Sequence, residues 1–223
     1  MKDIKAIRGK YFIHNLIEEG EHEHQDFKYA ISDARKIARS ISAFANNDGG
    51  RLLIGVKDNG HIVGIPNEED IYMIEHAASH YCYPPQTVEM TAYAVEGGAV
   101  VLHASIPRAQ HRPVYCVEEG KRRVAYIRVA DENIVAHELM VKAWELQSAP
   151  DYHPAALTAT DFSLLRYLDE EGQISPEDFM MKGYFSAATS RRCIVKLLSM
   201  GIIEMLHSHD GFVIRHAEAI TEG

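Results

Sequence analysis

The sequence has few cysteines and no long apolar run. Its three cysteines, Cys82, Cys116 and Cys193, are an odd number without the spacing of a disulfide framework, which favours a reducing compartment. No apolar run approaches the length of a membrane span, and the first ten residues lack the apolar stretch of a secretion signal. We therefore expect a cytoplasmic protein without a membrane partner.

Basic residues are also scarce, since 23 Lys and Arg against 32 Asp and Glu give a formal net charge of −9. This balance argues against a protein that is coated by nucleic acid over its whole surface, but it allows a local basic face. One stretch departs from the average, because six bases accompany only two acids between residues 108 and 128. These bases are Arg108, Arg112, Lys121, Arg122, Arg123 and Arg128. The stretch predicts a surface that neutralises phosphates.

The sequence contains no internal repeat and no low-complexity segment, and its 46% hydrophobic residues are typical of a folded protein. Helical and strand patterns in residues 1–147 predict an α+β domain with an antiparallel-rich sheet. The predicted helices span residues 11–19, 34–47, 67–81 and 131–147. The predicted strands include residues 25–28, a central apolar strand at 51–57 with its return at 61–65, and two hairpins that turn at 96–98 and 119–120.

A second, smaller domain follows. Residues 148–156, SAPDYHPAA, contain two prolines and no periodicity, which indicates a linker. Residues 157–216 then show three helical patterns and two short strands, which predict a small C-terminal winged helix-turn-helix, with a tail at 217–223.

The third predicted helix of that domain, at residues 186–200, carries bases and hydroxyl side chains and no acid. In a helix-turn-helix such a helix enters the major groove. Its candidate contact residues are Ser186, Thr189, Ser190, Arg191, Arg192 and Lys196. Because eight acids outnumber six bases between residues 158 and 216, a dimerisation or docking module is the alternative.

Three segments carry a resemblance to a known family: GEHEHQDFK at 20–28, KIARSISAFANNDGGRLLIGVKDNGHIVGI at 36–65 and RVAYIRVADENIVA at 123–136. They resemble the Schlafen AlbA-like domain, over residues 8–147 in all. The resemblance implies a DNA-binding domain of a kind often joined to bacterial helix-turn-helix modules. It favours a transcriptional regulator that binds DNA in preference to RNA.

The same resemblance implies an enzymatic alternative. Some family members are metal-dependent RNA-cutting enzymes with carboxylates at the places of Glu21, Asp26 and Asp58. Mg²⁺ or Mn²⁺ on such carboxylates stabilises phosphate charge and activates a water. Side chains five residues apart lie on opposite faces of a regular strand, so Glu21 must lie in the preceding turn or beside a bulge. A solvated acidic strand is the other interpretation.

The resemblance implies two further cofactors, zinc and ATP. His80, Cys82 and Cys116 match three places of a family zinc site, but the fourth ligand would have to be His76 or His111, and buried thiols are the commoner explanation. Some bacterial members are named as ATP-binding. Here Gly49 and Gly50 are followed by Arg51, and no GxxxxGK[ST] phosphate loop occurs.

The sequence thus leaves three functional hypotheses open. The first is a nucleic-acid-binding regulator with no firm cofactor. The second is a Mg²⁺- or Mn²⁺-dependent endoribonuclease. The third is an interaction protein whose winged helix forms a homodimer.

Overall fold

The computed structural model describes residues 5–182 and 185–218. The chain forms two compact units, which divide between Ala136 and His137. Of the predicted tail at 217–223, residues 219–223 lie outside the described residues. Within the described residues, every helix falls short of the length and apolarity that crossing a bilayer requires.

The described residues of the first unit, 5–136, form three α-helices and two β-sheets. The helices are α1 (Lys10–Glu19), α2 (Ala34–Asn46) and α3 (Glu69–His76), and a π-helical turn at Ala77–Tyr81 continues α3. The strands are β1 (Ile7–Arg8), β2 (Gln25–Lys28), β3 (Gly50–Ile54), β4 (Cys82–Tyr83), β5 (Glu89–Ala94), β6 (Val100–Ile106), β7 (Tyr115–Val117), β8 (Arg123–Val129) and β9 (Glu132–Val135). The α+β class expected from the sequence is confirmed.

The strand β3 lies inside a five-stranded sheet of order β1-β5-β6-β3-β2. It runs antiparallel to β6 and parallel to β2. Side chains alternate along a strand, so Leu52 and Ile54 pack with α2 while Leu53 packs with Ile13 of α1. All four side chains are fully buried. The predicted central position of this strand is confirmed.

Helix α2 is the central helix of the first unit, since ten of its 13 residues are buried. One side packs on the five-stranded sheet, and the other packs on β8 of an antiparallel sheet of order β4-β7-β8-β9. Its start is fixed by Asp33, whose side chain accepts a hydrogen bond from the Arg35 amide. The sequence pattern predicted its limits correctly.

The predicted return strand at 61–65 is reduced to a bridge between Val56 and Ile62, because the amides of Val63 and Gly64 both donate to the Gly55 carbonyl. Gly55 and Gly64 both have positive φ, and a Cβ on Gly55 would lie 2.8 Å from the Gly64 backbone.

The predicted helix at 131–147 was wrong in its first part. Residues Glu132–Val135 pair with β8 as strand β9, after a turn in which Ala130 has φ of 51°. The helix α4 (Glu138–Gln147) begins only after His137, whose ring accepts a hydrogen bond from the Leu139 amide.

The second unit combines helices with a three-stranded antiparallel sheet. It contains α4, α5 (Ala159–Glu171), β10 (Gln173–Ile174), α6 (Pro176–Met181), α7 (Ala187–Ser199), β11 (Ile203–Ser208) and β12 (Gly211–His216), with sheet order β10-β12-β11. Thr158, Ser175 and Ser186 cap α5, α6 and α7. Because α4 packs on α7, the helix that the sequence assigned to the first domain lies in the second compact unit.

Candidate nucleic-acid interface

The β7–β8 hairpin presents the most accessible part of the predicted basic stretch. Its turn is closed by the Glu118 amide, which donates to the Arg122 carbonyl at 2.8 Å, and Gly120 and Lys121 adopt positive φ. Lys121, Arg122 and Arg123 are all exposed. Across residues 5–182 and 185–218, none of these three side chains forms an ion pair with an acid. We call these three residues the hairpin cations.

The other three bases of the stretch are engaged within the protein. The Arg108 guanidinium lies 2.6 Å from the Asp48 carboxylate, although the side chain remains exposed. Arg112 is half-buried and donates to the Asn46 carbonyl at 3.0 Å, and burial lowers its pKa.

Arg128 was wrongly predicted to contact phosphates. It is only 3% exposed, and its guanidinium lies 3.2 Å from the Asp26 carboxylate and 3.2 Å from the Asn133 side-chain oxygen. Along β8 it shares a face with Tyr126, which packs against α2. Its charge therefore balances a buried acid and does not face solvent.

Glu21 and Asp26 do meet, in the way that the five-residue spacing requires. A tight turn links His22 and Gln25 by two backbone hydrogen bonds, and it returns Glu21 to the start of β2. Glu21 Oε1 accepts the Phe27 amide at 2.9 Å. Burial, together with a hydrogen bond to Asp26, raises the pKa of Glu21.

Two cations already neutralise Asp26, which is 3% exposed. Lys28 Nζ lies 2.7 Å from one of its oxygens, and Arg128 Nη2 lies 3.2 Å from the other. Asp58 is exposed in the turn after β3. In the part of the chain that the structure describes, no three His, Cys, Asp or Glu side chains are arranged to hold a metal ion.

The residues suggested for zinc are divided between core and surface. Cys82 and Cys116 are facing partners on β4 and β7, and both thiols are buried against backbone carbonyls of α2. Burial raises the pKa of both thiols, that of Cys116 to about 12. His80 is exposed, and its Nδ1 lies 2.7 Å from the Ser79 hydroxyl. The two thiols thus resemble small apolar groups more than metal ligands.

Sequence reasoning missed the role of the polar residues of the SAFANN segment. The Asn46 side chain donates to the carbonyls of Val114 and Tyr126 at 2.8 and 2.9 Å, and it accepts the Val114 amide at 2.7 Å. Ser42 Oγ accepts the Tyr126 amide at 3.1 Å. These groups connect α2 to the hairpin strands. The signal was available, because Ser42 and Asn46 are four residues apart on one face of a helix and are neighboured by the apolar residues Ile41, Ala43, Phe44 and Ala45.

An ion pair also anchors the base of the hairpin. Both Glu118 oxygens accept from the Arg39 guanidinium, at 2.6 and 2.7 Å, and one also accepts from the Tyr126 hydroxyl at 2.7 Å. These hydrogen bonds, led by those from Arg39, lower the pKa of Glu118 to about 2. The hairpin cations therefore extend from a fixed support.

On α7 the structure reduces the predicted contact set. Ser190 is 1% exposed, and Lys196 is paired with the buried carboxylate of Asp161. The prediction that these two residues contact DNA was therefore wrong. Arg191 is paired with Glu138 on α4. Ser186 and Arg192 are exposed, and Thr189 is half-buried.

The chain contains the sequence signature of one protein family. Residues 21–137, more than half of the 223 residues, match the family model of Schlafen, AlbA_2. The chain belongs to this family. No curated protein matches it significantly.

Two solved structures show a limited similarity to the chain. The DIP2311 protein from Corynebacterium diphtheriae is 18% identical with a TM-score of 0.44, over 85% of this chain and 34% of that one. This chain thus spans about one third of that protein. The N-terminal domain of a RecG-related protein from Nitrosomonas europaea is 25% identical with a TM-score of 0.40, over 56% of this chain and 95% of that one.

Proposed function

We propose that the protein binds nucleic acid through the hairpin cations of its AlbA_2 domain. The observation that carries the proposal is the contrast between Lys121, Arg122 and Arg123 and other arginines of the first unit. Arg39, Arg51, Arg108 and Arg128 are all paired with acids. In an acidic protein, three neighbouring cations that no acid neutralises within the described residues form a local positive field that suits phosphates.

The support of the hairpin favours binding over a merely solvated charge run. Ser42, Asn46 and Glu118 hold β7 and β8 to α2, so the turn is presented without a large ordering cost. Contacts of this kind read the backbone of the nucleic acid and not its sequence.

The second unit is proposed to supply the sequence choice of a DNA-binding transcriptional regulator. Its order α5-β10-α6-α7-β11-β12 suits a winged helix-turn-helix in which α7 is the recognition helix. The exposed groups near the start of α7, Ser186 and Arg192, are the residues proposed to contact DNA.

The test compares two double variants in the full chain, each with the same loss of charge. Lys121→Ala/Arg122→Ala removes two hairpin cations, and Arg8→Ala/Lys57→Ala removes two exposed bases from strand β1 and from the turn after β3. Binding to labelled duplex DNA and to structured RNA is followed by fluorescence anisotropy at low salt. We expect severalfold weaker binding for the hairpin variant alone. An equal loss in both variants would show that only net charge matters, and it would contradict the proposal.

A further inference from the structure

A row of aromatic rings lies beside the hairpin on α3, the π-helical turn and β4, with Tyr72, His80 and Tyr83 exposed and His76 and Tyr81 half-buried. Tyr72 stacks on His76 with ring centres 5.8 Å apart and planes within 5°, and His76 lies 4.6 Å from His80 and 5.2 Å from Tyr81. Tyr72 is 64% exposed and Tyr83 of β4 is 45% exposed. We call these five residues the ring surface.

Two arginines join the ring surface to the basic hairpin. The Arg123 guanidinium lies 3.4 Å from the centre of the Tyr83 ring, and the Arg35 guanidinium lies 5.0 Å from the centre of the Tyr81 ring. Strand alternation places Tyr83 on the side opposite the buried Cys82. Arg123 thus belongs both to the hairpin cations and to the ring surface.

We propose that the ring surface stacks the unpaired bases of a single-stranded nucleic acid whose phosphates lie on the hairpin cations. This inference rests on the proposed function and specifies the ligand class at the same site. Aromatic faces bind bases without regard to sequence, and a neighbouring basic groove follows the backbone. In a duplex the faces of the bases are already stacked on one another, so few of them are free to stack on exposed aromatic side chains.

The charges around the rings indicate the side on which the phosphates of the strand lie. Glu69 and Glu75 are exposed on α3, whereas the hairpin side carries Lys121, Arg122 and Arg123. The phosphates therefore lie on the hairpin side and the bases on the exposed rings of Tyr83 and Tyr72. Glu119 is the acid of the turn itself, and it lies 3.7 Å from Arg35.

The experiment measures anisotropy of labelled oligothymidylate, oligouridylate and duplex DNA with the full chain. Tyr72→Ala and Tyr83→Ala should each weaken single-strand binding about fivefold or more, because each removes the stacking of one base. Duplex binding should change little. Tyr72→Phe keeps the ring and should bind as the parent does. Tyr11→Ala removes a tyrosine that is 80% exposed on α1 and serves as the control.

The outcomes separate this inference from the proposed function. Single-strand affinity that is unchanged in Tyr72→Ala and Tyr83→Ala would show that the ring surface does not stack bases. If Lys121→Ala/Arg122→Ala still weakens duplex binding in that case, the proposed function of the hairpin cations is supported. If the parent protein binds none of the probes, both proposals are wrong. A preference between oligothymidylate and oligouridylate, with weaker binding in the ring variants, identifies DNA or RNA as the strand.

Discussion

At the residue scale, Asp26 and Glu118 show how acids are used in this protein. Each is almost fully buried and each accepts from an arginine, Arg128 in one case and Arg39 in the other. Removing one partner of a buried pair leaves a charge without compensation, which costs more than the pair contributed. We therefore expect the main role of both acids to be the stabilisation of the fold.

The role of Asp26 can be tested by Asp26→Asn. The amide keeps the shape but leaves Arg128 and Lys28 without their counter-charge, so we expect a loss of about 3 kcal/mol or more in the free energy of unfolding. Asp58→Asn, on an exposed turn, should change stability by less than about 0.5 kcal/mol. Urea unfolding measures both. Higher stability of Asp26→Asn in the metal-free protein would indicate repelling metal ligands and would favour the nuclease hypothesis.

Glu118 gives a prediction with a pH dependence. Glu118→Gln weakens the hydrogen bonds from Arg39 and Tyr126, and we expect a loss of about 1 to 3 kcal/mol at neutral pH. The pKa of Glu118 in the folded protein is lowered from 4.5 to about 2, so its contribution is present above pH 4.5 and is lost as the pH falls toward 2. The stability difference between parent and variant should shrink over that range. A constant difference would show that the carboxylate charge is irrelevant.

At the element scale, the apolar patterns of α2 and β3 predicted both elements and their burial. Such patterns report how one segment faces the core, and they carry no information about the partner of an edge strand. The pattern at 132–135 was therefore assigned to a helix, although β8 offers an edge that pairs with β9. Period-two alternation along β8 already placed Arg128 on the face of Tyr126, so the error at Arg128 was avoidable.

Strand β3 supplies the prediction at this scale. Ile54 is fully buried between the sheet and α2, so Ile54→Ala should lower the free energy of unfolding by about 2 to 5 kcal/mol. Ile7→Ala is the control, because Ile7 is 51% exposed on the short edge strand β1. The midpoint of denaturant unfolding measures the two changes. Equal small losses would mean that β3 does not form the centre of the core.

At the scale of the whole molecule, a net charge of −9 coexists with one basic turn, that of the hairpin cations. The sequence predicted the hairpin from its strand patterns and its turn at 119–120, and it predicted the local excess of bases from the charge count. It could not predict the partners of Arg108, Arg112 and Arg128, since Asp48, Asn46 and Asp26 lie 60 to 102 residues away along the chain. The ring surface also depends on a π-helical turn, which periodicity does not reveal.

The salt dependence of binding tests the central claim most directly. The slope of log K against log salt counts the phosphates that the protein neutralises, at roughly 0.9 for each phosphate on duplex DNA. We predict that Lys121→Ala/Arg122→Ala lowers the magnitude of this slope by roughly 0.9 for each phosphate that the variant no longer neutralises, while Arg8→Ala/Lys57→Ala keeps the slope of the parent. A hairpin variant with the slope of the parent would show that the hairpin cations do not contact the phosphates.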